Sequence, residues 1–244
     1  IEIIFHNVCS TYFETINYLN SKQDEGYIVY NSDINDHHTV INSIKHYILH
    51  NPLCEYIVIT DPDIELNKVN GDILEFYIFL LNKFNKTSVG PMLKIDDIPD
   101  EYYNKKAVIN GHTNQFWNKP KKSILFNNKE YKYIECNTDT TFQIFSSKNI
   151  PQSFPHNNSI RTIQPYDARH LDWYINPNNL SPCQLYYVNN TSKISHWNNK
   201  NWKGIYHDNT INIINNAFIK KYKYVYYYDK CKCRNNYNFG DFIT

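Results

Sequence analysis

Six cysteines, Cys9, Cys54, Cys136, Cys183, Cys231 and Cys233, lie scattered through 244 residues without one C-x-x-C pair. A chain this long has no need of disulfide staples, and the scatter reads as a reducing compartment. Cys231-Lys232-Cys233 offers soft donors but lacks a second pair at metal-site spacing, so chance is the simpler reading. No run approaches the ~18 consecutive apolar residues of a membrane span, and no signal-peptide pattern opens the chain. A soluble protein is expected. Charge of one sign is lacking too: Lys+Arg 25 against Asp+Glu 24 leaves a net charge of +1. Without a global field, nothing draws nucleic acid or an anionic membrane, and any anionic ligand must be bound locally. No repeat period is visible. No Gly-rich, basic phosphate loop stands near the first strand, which argues against a nucleotidyltransferase.

What is abundant is aromatic and polar. Aromatic residues make up 16% of the chain, with 22 Tyr, enough to line clefts as well as a core. The same excess of Asn, Ile, Lys and Tyr fits an AT-biased coding sequence, which weakens arguments from these residue types. Asn85, Asn157, Asn189 and Asn190 each begin an N-x-S/T pattern, as accident produces in so Asn-rich a chain. The length can bury a sizeable core, and residues 1–220 are expected to form one domain.

The first third alternates strand and helix. Residues 1–5 predict a strand ended by His6-Asn7, and Ser10 can cap a helix to about Asn20 with Tyr12, Ile16 and Leu19 on one face. Residues 27–30 predict a second strand closed by Asn31-Ser32-Asp33, and Asp36 can cap a helix carrying Val40, Ile41, Ile44, Tyr47 and Ile48 at helical spacing. Tyr56-Ile57-Val58-Ile59-Thr60 then reads as a strand buried on both faces, in the middle of a parallel sheet. Residues 73–84 predict an apolar helix, 88–93 a short strand, 95–100 an acidic loop and 102–117 a polar helix. Residues 131–136 and 140–145, joined by Asn137-Thr138-Asp139, read as two strands of an antiparallel addition. Ser181-Pro182 marks a further helix start. The fold class is therefore α/β, a mixed and mostly parallel sheet flanked by helices, with an antiparallel addition in the second half.

Chemistry concentrates at Asp61-Pro62-Asp63. Pro62 has no N–H for a ladder, so the strand stops there. If the backbone stays extended, Asp61 and Asp63 point to one side beyond the carboxyl end of the strand, where open α/β sheets bind ligands. Close carboxylates repel unless protons or a cation intervene, and oxygen donors suit Mg²⁺ or Mn²⁺. The plainer alternative is an Asp-Pro turn with solvated acids. Tyr166-Asp167-Ala168-Arg169-His170-Leu171-Asp172-Trp173-Tyr174 mixes aromatic faces with two acids, an Arg and a His, as a sugar or nucleotide site does. A structural Arg–Asp pair at a helix start accounts for it equally well. His196 is a candidate late ligand, although a lone His is more often structural.

At Asp61-Pro62-Asp63 the order of elements resembles the nucleotide-sugar-dependent glycosyltransferases of the GT-A (Rossmann-like) fold, whose D-x-D motif follows a buried strand. Val89-Gly90-Pro91, Ile95-Asp96-Asp97-Ile98-Pro99, Asp139-Thr140-Thr141-Phe142, the stretch from Ala168 through Tyr174, and Ser195-His196-Trp197 are similar to successive blocks of a polysaccharide-type group found in bacteria and large DNA viruses. The resemblance covers residues 1–203. It implies transfer of a hexose or deoxyhexose from a nucleoside diphosphate sugar, UDP first among the bases, to an acceptor hydroxyl in glycan or polysaccharide synthesis. It implies Mn²⁺ or Mg²⁺ on Asp63, with Asp61 binding directly or through water or ribose, and His196 as the late ligand. His6, Asn7, Asn31, Asp33 and Asp61 would surround base and ribose, and Arg169 and His170 would contact phosphate or donor sugar. Asp139, with Asp172 in reserve, would deprotonate the acceptor hydroxyl, or Asp139 would only bind sugar hydroxyls. The location implied is cytoplasmic, that of the host if the chain is viral.

The opening His6-Asn7-Val8-Cys9-Ser10 departs from the Thr/Ser-rich nucleotide loop and early Arg of typical members, which leaves the base open. The alternative reading is a non-catalytic carbohydrate- or nucleotide-binding module that keeps the fold. Residues 221–244 are read as a Tyr-rich linker in which Asn238-Phe239-Gly240-Asp241 resembles the opening of a polysaccharide pyruvyl transferase-like domain. A second enzymatic domain is expected beyond it, the alternative being a plain tail. Ile1 lies inside a strand-like run, so an initiator Met and further residues are expected upstream.

Overall fold

The computed structural model describes residues 1–190 apart from 67–70, 103–104, 155–156 and 177–178. In chain order the elements are β1 (Ile4–Val8), α1 (Phe13–Asp24), β2 (Ile28–Ser32), α2 (Val40–His50), β3 (Tyr56–Thr60), the short β4 (Ile64–Glu65), α3 (Ile73–Lys83) and β5 (Ser88–Pro91). Then come α4 (Lys105–His112), continued by a π turn over Thr113–Trp117, and the strands β6 (Lys122–Phe126), β7 (Lys129–Glu135), β8 (Phe142–Ser146) and β9 (Ser159–Thr162). β10 (Arg169–His170), a 3-10 turn over Leu171–Tyr174 and α5 (Pro182–Asn190) follow. His196, Cys231, Cys233 and the expected linker at 221–244 lie outside the described residues.

The architecture is α/β, with a mixed central sheet flanked by helices. Its six strands run in the order β3-β8-β5-β9-β7-β6; β5 and β9 are parallel, and the other neighbours are antiparallel. β3 is therefore an edge strand of this sheet, not the centre of a parallel one. Its partner is β8, from Tyr56 opposite Ser146 to Thr60 opposite Phe142, and Val58 is 39% exposed. An unbroken apolar run is equally compatible with a strand under helices and with one bordering a cavity, and here the second case holds. β1 and β2 pair in parallel through α1, as predicted, but as a separate two-stranded sheet.

The local signals divide in the same way. β1 continues through His6 and Asn7 to Val8, because both residues pair with β2, opposite Tyr30 and Asn31. Ser10 does not cap α1, which begins after Tyr12; its N–H instead donates to Asn7 Oδ1 at 2.9 Å. Asp36 does cap, accepting the His38 N–H at 2.9 Å in the 3-10 turn that leads into α2. β7 and β8 are not a hairpin; β9 and β5 stand between them. The hairpin of this region is β6–β7. Its two-residue turn is Asn127-Asn128, both at positive φ (48° and 60°), the conformation in which a tight turn matches the strand twist and which Asn tolerates.

Helices cover both faces of the sheet. On one, α3 sets Phe76, Tyr77 and Leu80, all fully buried, against Val89, Phe142, Ile144 and Ile160. On the other, Ile41 and Ile44 of α2 meet Ile59, Phe145 and Phe154. Ile144 and Phe145 are successive residues of β8, so they point to opposite faces and tie the two layers to one strand. Each such side chain contributes about 1.5–3 kcal/mol by leaving water. Gly90 lies where β5 presses on β8: a Cβ there would stand 2.3 Å from the Phe142 carbonyl oxygen. The described cysteines carry thiols, and no described helix is long and apolar enough to cross a membrane.

Candidate metal centre

Two backbone devices deliver the acidic pair. The Asp61 N–H donates to the Thr141 carbonyl at 3.0 Å, extending the β3–β8 ladder by one bond before Pro62 ends it. Two residues on, the Asp63 carbonyl accepts the Leu171 N–H at 2.8 Å, and β4 pairs with β10 so that Ile64 faces His170 and Glu65 faces Arg169. The ladder carries the aromatic stretch of the second half back to the end of β3. As a result Asp61, Asp63 and His170 each place a donor atom within 4.8 Å of the other two, and His170 Nδ1 lies 3.2 Å from Asp63 Oδ2. The His170 ring stacks on Trp173 at 5.2 Å and 10°, which fixes its plane.

The ladder is itself braced by charge. Arg169 donates through Nε to Asp97 at 2.8 Å, through Nη2 to the same carboxylate, and through Nη1 to Glu65 at 2.7 Å. Tyr174 donates its hydroxyl to Asp97 as well. Burial pushes the Asp97 carboxyl up, but the bonds from Arg169 and Tyr174 outweigh it and hold it below the usual range. Arg169, expected as a phosphate or sugar contact, has all three guanidinium nitrogens on carboxylates.

Electrostatics separate the acids. Burial, then the charges of Asp63 and Asp139, push the Asp61 carboxyl up to about 7, against a smaller opposing effect of its hydrogen bond with Thr140. Asp139 goes the other way: burial would raise it, but Arg161 and the Thr141 hydrogen bonds hold it below the ordinary carboxylate range. Arg161, only 2% exposed, donates to Asp139 Oδ2 at 3.0 Å, to the Asn137 carbonyl at 2.8 Å and to the Pro91 carbonyl at 3.0 Å. It pins the turn before β8 to the end of β5.

A cavity of about 290 Å³ opens between β1 and β3, lined among others by His6, Val8, Tyr30, Ile57, Thr60 and Asp61. His6 is held between Thr39 Oγ1 at 3.0 Å and Ser43 Oγ at 2.9 Å, and burial lowers its pKa. Of the residues expected around base and ribose, His6 and Asp61 line this cavity. Asn7, Asn31 and Asp33 do not; Asn7 and Asn31 bond each other across the β1–β2 pair at 2.9 Å, and Asp33 is exposed beyond the end of β2. Asp172 sits half-buried in the 3-10 turn after His170, outside the three-residue cluster.

The structure thus brings Asp61, Asp63 and Asp139 into one electrostatic neighbourhood and supplies His170 as the imidazole partner; His196 lies outside the described residues. Sequence reasoning missed Arg161 and Glu65. The one signal for Arg161 is a charged residue between Ile160 and Thr162 in a β-prone run, the pattern of a strand with a functional interruption. The donor set fits a divalent cation: two carboxylates repel each other beside an imidazole, and such a mixture suits Mn²⁺ better than the purely oxygen-seeking Mg²⁺. Comparison of the chain with protein-family models, with curated proteins and with solved structures gave no match.

Proposed function

We propose that the protein is a metal-dependent glycosyltransferase that moves a sugar from a nucleoside diphosphate to an acceptor hydroxyl. The observation that supports this reading most is the meeting of Asp61, Asp63 and His170 in one cluster, of which Asp61 also lines a cavity. The cavity is lined by β1, β2, β3 and α2, largely with apolar side chains and with His6 and Tyr30 among them, surroundings suited to a nucleotide base. Asp61, Asp63 and His170 would hold Mn²⁺ or Mg²⁺, which when bound offsets the charge that grows on a departing diphosphate. Asp139, kept ionised by Arg161, accepts the proton or the hydrogen bond of the acceptor hydroxyl, with Asp172 the reserve for that role. Arg169 acts at one remove, by holding the β4–β10 ladder that aims His170.

A panel of UDP-, GDP- and dTDP-sugars with and without Mn²⁺ tests this by thermal shift, since a ligand of the native state raises apparent stability by mass action. One donor is expected to raise the melting temperature only with Mn²⁺, and Asp63→Ala is expected to abolish both that shift and Mn²⁺-dependent hydrolysis or transfer while the protein stays folded. Metal-independent shifts for every donor, or unchanged turnover in Asp63→Ala, would sink it.

A further inference from the structure

We infer that Asp36, His37 and His38 form a second divalent-metal site, separate in its residues from the first and suited to a borderline transition ion such as Zn²⁺. One donor atom from each lies within 4.8 Å of the other two, and the two imidazole rings are 4.0 Å apart at 37°. The tight turn before α2 brings three successive side chains together. Asp36 Oδ1 accepts the His38 N–H at 2.9 Å and lies 3.7 Å from His37 Nδ1. The His38 ring runs parallel to that of Phe154, 5° between planes and 6.2 Å between centres.

A second observation points to a ligand. His38 Nδ1 is shut off from solvent and meets no hydrogen-bond partner among the described residues. In a folded protein such an atom calls for a water or an ion.

The chemistry of the set selects the ion. Two imidazoles and one carboxylate make the three-ligand arrangement of an open zinc site, whose fourth position is left to water or another ligand. Donors at ~2 Å from zinc stand roughly 3.3 Å apart in a tetrahedron, so rotation of the side chains, without backbone movement, closes the cluster on an ion. Nitrogen-rich donors favour Zn²⁺, Ni²⁺ or Co²⁺, whereas the carboxylate pair of the first centre favours Mn²⁺ or Mg²⁺. His37 also lines the cavity that Asp61 borders, which puts the second ion at the rim of that cavity.

The inference does not depend on sugar transfer and is tested by metal binding alone. The metal-free chain is titrated with Co²⁺, followed by visible absorption and calorimetry. Every protein carries His50→Gln, because the exposed His46 and His50 rings, 4.5 Å apart on α2, would otherwise add their own binding. His37→Ala with His38→Ala is expected to bind one equivalent fewer than the parent, Asp63→Ala one fewer through the other centre, and the combination two fewer. His38→Gln alone, nearly matched in size, is expected to weaken the second equivalent at least tenfold, and circular dichroism confirms folding. A His37/His38 double variant that binds as many equivalents as the parent, with affinities within threefold, overturns the proposal.

Discussion

Asp61→Asn removes a charge without changing the size of the side chain, and its surroundings set the sign and size of the result. The Asp61 carboxyl is pushed from 3.8 up to about 7, first by burial and then by Asp63 and Asp139. An acid whose pKa is higher folded than unfolded favours the folded state below the unfolded value and loses that contribution as pH rises through the folded one. Three units at about 1.4 kcal/mol each make at most about 4 kcal/mol, of which about 2.5 kcal/mol falls between pH 5 and 8. Metal-free Asp61→Asn should therefore gain about 2.5 kcal/mol on the wild type across that window, measured by urea unfolding in EDTA. Mn²⁺ should narrow that difference at pH 8. At one hundred times its dissociation constant, a native-state ligand adds about 2.7 kcal/mol to the wild type and far less to a variant that has lost a donor. A difference between the two proteins that stays flat from pH 5 to 8 in EDTA would refute burial and repulsion as the condition of Asp61.

Gly90→Ala should cost about 3 kcal/mol in chemical denaturation, because its Cβ would meet a backbone carbonyl at 2.3 Å that cannot rotate away. Gly71→Ala, with nothing within 4 Å of its Cβ, should be near neutral and serves as the control. Arg169→Met leaves Glu65 without its guanidinium partner and Asp97 with Lys94 at 3.6 Å, and should cost about 2–3 kcal/mol of stability. If the β4–β10 ladder aims His170, the same change also weakens Mn²⁺ binding about tenfold by calorimetry, about 1.4 kcal/mol. An Arg169→Met protein with unchanged Mn²⁺ affinity would limit Arg169 to a purely stabilising part.

Local patterns carried much of the fold. The helical spacing of Ile41, Ile44 and Tyr47, the cap at Asp36 and the parallel β1–β2 unit were all legible, because each depends on residues a few positions apart. Strand order was not. Residues 131–136 and 140–145 are near in sequence and β-prone, which suggests a hairpin, yet β7 and β8 are separated by two strands. What decides the matter is long-range: Gly90 and Val89 fit between β8 and β9, and a pattern within one strand says nothing about its neighbour. Asn127-Asn128 was the readable hairpin signal, overlooked because Asn is common throughout the chain.

The site shows the same limit in its charges. Asp61 and Asp63 were found from a strand end and a proline, but their third partner required the pairing of β4 with β10, more than a hundred residues apart in the chain. That pairing also changes what the acids need. Asp139 has Arg161 at 3.0 Å, and Asp63 has the His170 imidazole at 3.2 Å. Asp61 has the hydroxyl of Thr140 and two carboxylates, and its raised pKa records its burial first and that imbalance second. Among the described residues, Arg161 is the permanent cation that ion-pairs with these three acids, and it is spent on Asp139. A proton on Asp61 relieves the remainder below about pH 7. Above it, a divalent ion held jointly by Asp61 and Asp63 relieves more than a single added side-chain cation would, because it faces both carboxylates at once.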